Sequence, residues 1–134
     1  DHIPIVVQNL DSATKLFSEI FHFKVKNGRE HEGIKNCFVK FQDGTYLEVI
    51  TPIDSSKPIG KYYMDFLKYR EGGTALAISV QSSDNIIKYL KEKSLSFRAD
   101  SNNIWRTVSP KDADLFLLTI QIKTGKTQEK IPLI

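Results

Sequence analysis

A chain of 134 residues that is 40% hydrophobic and 26% charged has room for one domain, or for two half-size modules, and has an ordinary globular composition. Its formal charge of +3 is spread along the sequence without a block of like charges, and the pairs Lys61-Tyr62-Tyr63 and Lys68-Tyr69-Arg70 are what solvated helix faces carry, so no nucleic-acid partner is expected. A single cysteine, Cys37, excludes an internal disulfide or a CxxC site, and with no apolar run of about eighteen residues and no signal layout, no membrane partner is expected and the cytoplasm is the expected location.

Taken in order, His2 to Val7 alternates His2, Pro4 and Val6 against Ile3, Ile5 and Val7, which predicts a strand. Pro4 cannot donate to a ladder, so the strand is expected at an edge or with a bulge. Asn9 or Asp11 caps a helix to about Phe21, with Leu10, Ala13, Leu16, Phe17 and Ile20 as its inward stripe. Phe23 to Lys26 predicts a short strand turned by Asn27-Gly28, and Arg29 to Asn36 a polar loop. Cys37 to Pro52 then reads as two strands joined at Asp43-Gly44, a strong hairpin signal. Period two in the second of these strands puts Tyr46, Glu48 and Ile50 on one face. A carboxylate among apolar neighbours loses solvation unless a cation, a metal or hydrogen-bond donors face it.

Residues 53–73 read as a connector with a short helix through Tyr62, Phe66, Leu67 and Tyr69, broken at Gly72-Gly73. From Ala75 the pattern restarts: an offset of 73 residues aligns Ile5 with Ile78, Val7 with Val80, Gln8 with Gln81, Asp11 with Asp84, Lys15 with Lys88 and Glu19 with Glu92. The second unit is expected to have a strand at Ala75 to Val80, a helix from about Ser83 to Lys93 with Ile86, Ile87 and Leu90 inward, and strands near Ser96 to Asp100 and Leu115 to Ile122. Trp105 and Arg106 belong to a strand of this unit. A last strand is expected to begin at Ile131 and to be cut short at Ile134, as in a segment trimmed from a longer chain. The modules are thus residues 1–52 and 74–134, each βαβββ.

Two tandem βαβββ units, with His2 opening the first strand and Glu48 in the fourth, resemble the glyoxalase-like domains of the vicinal oxygen chelate superfamily. The resemblance rests on Asp1-His2, Asn9-Leu10-Asp11, Gly28-Arg29-Glu30-His31-Glu32-Gly33, Asn36, Gly44-Thr45-Tyr46-Leu47-Glu48 and Gly72-Gly73. It implies an α+β fold whose strands form a curved, cup-like mixed sheet with helices on the outer face. It also implies metal ligands from the first and last strands of each module: His2 and Glu48 in the first, with Glu48 as ligand or catalytic base. A divalent metal (Zn, Ni, Fe or Mn) suits an imidazole with a carboxylate. The second module departs from the pattern, since Ala75 stands where a ligand is expected and no His follows His31.

Three functions stay open. One is a metal-dependent lyase, isomerase or dioxygenase acting on a small oxygenated metabolite. Another is a non-catalytic protein that binds a drug or metabolite in an apolar cup. The third is an assembly domain whose open edge at Ile131 to Ile134 pairs with another copy as a homodimer. The resemblance brings His31 and Asn36 toward the ligand, while Tyr46 lines the pocket beside Glu48 and Trp105 walls it. Against these stand plainer identities: a polar strand start for His2, a simple ion pair for Glu48, a surface His31, and core packing for Tyr46 and Trp105. GxGxxG, P-loop, HExxH and GxSxG motifs are all absent.

Overall fold

The computed structural model describes residues 1–80, 82–95, 97–99, 103–108 and 118–124. The chain divides into two compact units, Asp1–Thr74 and Ala75–Ile134, both of mixed α+β type.

In the first unit, β1 (His2–Val6) leads into α1 (Leu10–Lys15), followed by β2 (Lys24–His31), β3 (Ile34–Lys40) and β4 (Tyr46–Pro52). The strands lie in the order β2-β3-β4-β1, antiparallel except for the β1–β4 pair, which is parallel. Asn9 caps α1 by accepting the Ser12 amide at 2.8 Å. One face of the sheet is closed by this helix: Leu10 and Ala13 pack with Cys37, Val39 and Val49, joined by Val7, Phe17, Val25 and Leu47. The opposite face carries the even-numbered residues of β1, β3 and β4.

Three expectations are corrected here. The helix does not keep one stripe to Phe21, because Leu16–Ile20 forms a π-helical turn closed by the Phe21 amide on Leu16 O at 3.1 Å. The extra residue in that turn rotates Leu16 and Ile20 outward, leaving them 44% and 66% exposed. Second, Asn27-Gly28 does not end β2. It forms a bulge in a strand that continues to His31, and the hairpin turns at Glu32-Gly33, both with positive φ (50° and 80°). Third, Pro4 is neither at an edge nor in a bulge, for β1 lies between β4 and the short β5 (Gly72–Gly73). Val7 donates to Ile50 O, so the odd residues of β1 serve β4, and the proline nitrogen lies on the other side, where only the Pro4 carbonyl is used, by the Thr74 amide at 2.9 Å.

The connector carries α2 (Pro58–Leu67), with Pro58 in its first turn. The β2–β3 turn docks onto its start. Gly33 O accepts the amides of Ile53 and Asp54 at 2.8 and 3.1 Å, and Glu32 O accepts that of Gly60 at 3.1 Å. This docking fixes where α2 lies within the first unit.

In the second unit, β6 (Ala75–Val80), α3 (Ser83–Glu92), β7 (Arg98–Ala99), β8 (Asn103–Val108) and β9 (Leu118–Thr124) give the strand order β6-β9-β8-β7. Leu90 of α3 is buried, with Ile86, Ile87, Leu95 and Phe97 around it. β9 runs parallel to β6, as β4 does to β1, and the registers match at the 73-residue offset: Ile5 faces Val49, and Ile78 faces Ile122. The strand expected from Ile131 lies outside the described residues.

Gly33 and Gly44 both have positive φ, but a Cβ on Gly33 would meet Asp54 O at 2.5 Å, whereas one on Gly44 would meet nothing within 4 Å. Gly33→Ala is expected to cost about 2–4 kcal/mol and Gly44→Ala about 1–2 kcal/mol in urea unfolding. Equal losses would show that the turn is not packed against α2.

Candidate functional site

The parallel register sets His2 beside Tyr46 and Pro4 beside Glu48, so the imidazole and the carboxylate share the face turned away from α1. Across the antiparallel ladder Phe38 stands opposite Glu48, and Asn36 opposite Ile50, on that same face. His2 is 3% exposed and lies flat on Tyr46, with ring centroids 4.6 Å apart and planes 5° from parallel. The edge of Phe38 meets the Tyr46 ring at 5.5 Å, and the Lys40 ammonium lies 5.9 Å from its centroid.

The two nitrogens of His2 have different surroundings. Nδ1 is 2.7 Å from Asp1 Oδ1. A carboxylate only accepts, so Nδ1 carries the hydrogen and, in the neutral ring, Nε2 presents a lone pair. Nε2 is buried without a hydrogen-bond partner, and Glu48 Oε2 stands 3.4 Å from it. Two acceptors facing each other in a buried place repel unless a cation lies between them or the imidazole takes a second proton. Glu48 Oε1 accepts from Asn36 Nδ2 at 2.7 Å, and Asn36 Oδ1 accepts from the Arg29 amide at 3.0 Å.

Tyr63 of α2, read from the sequence only within the solvated run Lys61-Tyr62-Tyr63, was not among the expected site residues. Burial pushes its phenol above the ordinary range; the Glu48 charge adds to this and a hydrogen bond with Thr74 opposes it. Tyr46 is raised for the same two leading reasons, burial and then Glu48. The signal for Tyr63 was the three-to-four spacing from Gly60 through Tyr63 to Phe66 and Leu67; Tyr62 and Tyr69, named instead, are 40% and 75% exposed.

Of the expected site residues, the structure brings together His2, Asn36, Tyr46 and Glu48. His31 is half-buried at the hairpin end, opposite Ile34 and on the outermost strand, not in this cluster. Trp105 faces Gln121 in the β8–β9 register, the place Phe38 holds opposite Glu48 in the first unit. At the offset that superposes the two registers, His2 corresponds to Ala75 and Glu48 to Gln121.

The His2–Glu48 pair fits a metal in one measurable respect. Ligands about 2.0–2.1 Å from a tetrahedral ion lie about 3.3 Å apart. The 3.4 Å between Nε2 and Oε2 is that edge length, and a carboxylate on the far nitrogen of a histidine is the usual support of a metal-ligating imidazole. Among the described residues no group of three or more His, Cys, Asp or Glu side chains could hold an ion, so this pair supplies two ligands and no third.

The glyoxalase-like domain family model matches residues 1–132. The chain belongs to this family, within the vicinal oxygen chelate superfamily. A hypothetical protein, BH1468 from Bacillus halodurans C-125, is similar over 98% of this chain and 96% of its own, with TM-score 0.72 and 21% identity. Methylmalonyl-CoA epimerase from Mycobacterium tuberculosis is similar over 94% of this chain and 88% of its own, with TM-score 0.65 and 21% identity. The Streptomyces coelicolor epimerase, solved with 2-nitronate-propionyl-CoA, is similar over 93% of this chain and 96% of its own, with TM-score 0.65 and 20% identity. At these identities the likeness is one of fold. No curated protein matches the sequence. Among the described residues no helix of this glyoxalase-like domain is long and apolar enough to cross a membrane.

A phenol whose ionisation is disfavoured by folding contributes stability below its unfolded value near 10, and that contribution is lost as pH rises above it. Absorbance at 295 nm is expected to show a late ionisation phase, shared with Tyr46, whose amplitude falls in Tyr63→Phe. A single phase shared by all five tyrosines would contradict the burial of Tyr63.

Proposed function

We propose that the chain is a metal-assisted enzyme of glyoxalase type, a lyase or isomerase acting on a small oxygenated metabolite at the face that carries His2 and Glu48. The observation that carries this reading is the buried, unpartnered His2 Nε2 at 3.4 Å from Glu48 Oε2, two acceptors at the separation of two ligands to one ion. A divalent metal held there would supply Lewis-acid polarisation of a substrate carbonyl and so acidify the neighbouring C–H. Asp1 orients the imidazole through Nδ1. Tyr46 and Phe38 form an aromatic wall against His2 that would keep water from one side of the site. In this reading Glu48 would be either a ligand to that metal or the base that takes and returns the proton.

The substrates of the epimerases that share the fold make CoA thioesters a sensible first panel, and a cytoplasmic location agrees with such chemistry. A second reading is a non-catalytic protein that binds a metabolite or drug with the same aromatic surface. Ala75, at the position of His2 in the second module, favours it by supplying no imidazole.

Isothermal titration of the purified chain with Zn²⁺, Ni²⁺, Co²⁺ and Mn²⁺ tests the first reading. One ion per chain should bind, and His2→Ala or Glu48→Gln should weaken it tenfold or more, the order seen when a ligand or its support is lost. Solvent deuterium should enter the substrate of the metal-loaded protein next to its carbonyl. No binding of any of the four ions, together with thermal shifts from planar ligands that Tyr46→Ala abolishes, would replace this reading with the second.

A further inference from the structure

The face that carries His2 and Glu48 continues outward across β3 and β2, and there it becomes basic. Directly opposed residues of an antiparallel pair leave the sheet on the same side, so the register extends each row of the site strand by strand. One row runs Lys24, Lys40, Tyr46 and His2, and the next runs Lys26, Phe38 and Glu48. Lys40 shows the direction itself, since its ammonium lies 5.9 Å from the centroid of the Tyr46 ring on which His2 stacks. Lys24, Lys26 and Lys40 are all exposed, and together they make one end of this face positive.

Their protein neighbours do not account for them. Lys24 stands directly opposite Lys40, and like charges so placed destabilise a strand pair. Among the described residues the lysines held in ion pairs are Lys35, Lys61, Lys68 and Lys88, not these. A lysine on an outermost strand can deter pairing with another chain, which would suit Lys24 and Lys26 of β2. That duty does not explain Lys40, which lies on the inner strand β3 and reaches over Tyr46.

We infer that Lys24, Lys26 and Lys40 form a subsite for a phosphoryl group, so that the small molecule taken at this face is held by a phosphate at its far end. This rests on the reading above for where the reaction occurs, but it does not require a metal. An ammonium is a compact point charge suited to phosphate, and several of them on one surface favour a dianion over a single carboxylate. Neighbouring strands are about 4.8 Å apart, so Lys40 is one strand spacing from Tyr46 and two from His2. A phosphate at the lysines leaves the rest of the molecule to lie along Tyr46 and Phe38 toward Glu48.

Isothermal titration of the full chain with inorganic pyrophosphate, in chelator so that no metal takes part, tests the inference. Pyrophosphate should bind, more weakly as salt is added, and acetate should not compete. Lys24→Gln and Lys40→Gln should each weaken binding about tenfold, the worth of one charged contact, and Lys40→Arg should restore most of it. Lys35→Gln removes the same charge from the α1 side of β3 and should leave the affinity within about twofold, as one lost long-range charge does. Competition by glycerol 3-phosphate would assign the phosphate to a short ester, and competition by coenzyme A alone to a thioester of that carrier; either supports the subsite. No pyrophosphate binding, or equal losses in Lys35→Gln and Lys24→Gln, would overturn it. Pyrophosphate binding in a chain that takes up no metal would keep the subsite and remove the metal reading, whereas metal binding without pyrophosphate binding would do the reverse.

Discussion

The parallel pairing of β1 with β4 is the constraint from which the site follows. It joins residues more than forty positions apart in register, His2 with Tyr46 and Pro4 with Glu48, and so sets an imidazole, a phenol ring and a carboxylate on one surface. A shift of one residue in either strand would turn one partner to the helix side, because successive side chains alternate. Several features hold the register. Val6, Val39, Val49 and Ile50 are almost wholly buried on the two faces. Thr51 Oγ1 also donates to Val7 O at 3.0 Å, tying the end of β4 to the end of β1. Thr74 reaches the Pro4 carbonyl from the other side. The polar pair is placed by hydrophobic packing that lies mostly on the reverse of the sheet.

That arrangement puts His2 Nε2 3.4 Å from Glu48 Oε2, with Asp1 on the other ring nitrogen. Asp1 commits Nδ1, Asn36 commits Oε1, and stacking on Tyr46 fixes the plane of the imidazole. His2 Nε2 and Glu48 Oε2 thus face each other at 3.4 Å. The raised phenols of Tyr46 and Tyr63 have a related cause, because burial and the Glu48 charge both oppose a further negative charge on this side.

The two units repeat one topology but not one chemistry. Their parallel pairs have the same register at a constant offset, which is what duplicated modules keep when packing is conserved. Ala75 and Gln121 hold the places of His2 and Glu48 in that register. Neither an alanine methyl nor a neutral amide brings a titratable group to those two register positions.

The sequence by itself determined the element order, the face shared by Tyr46 and Glu48, the repeat, and the family. All of these depend on local period, turn residues and spacing, which need no knowledge of what packs against them. Period two sufficed for β4, and the Asn9 cap with its apolar stripe sufficed for the start of α1. What tertiary structure alone decided was every feature set by contacts between distant segments. Asn27-Gly28 reads as a turn but forms a bulge, because the hairpin closes at Glu32-Gly33, where Gly33 docks against α2. Leu16 and Ile20 read as core, yet a π-helical turn rotates them out. Pro4 reads as an edge signal, yet its missing donor falls on the side of β1 that β4 does not use. Asn36 stood among the candidates, but its bond to Glu48 comes from the β3–β4 register and its hold on the Arg29 amide from that bulge. Local pattern specifies which way a side chain leaves its own strand; what it meets there is set by segments folded from elsewhere in the chain.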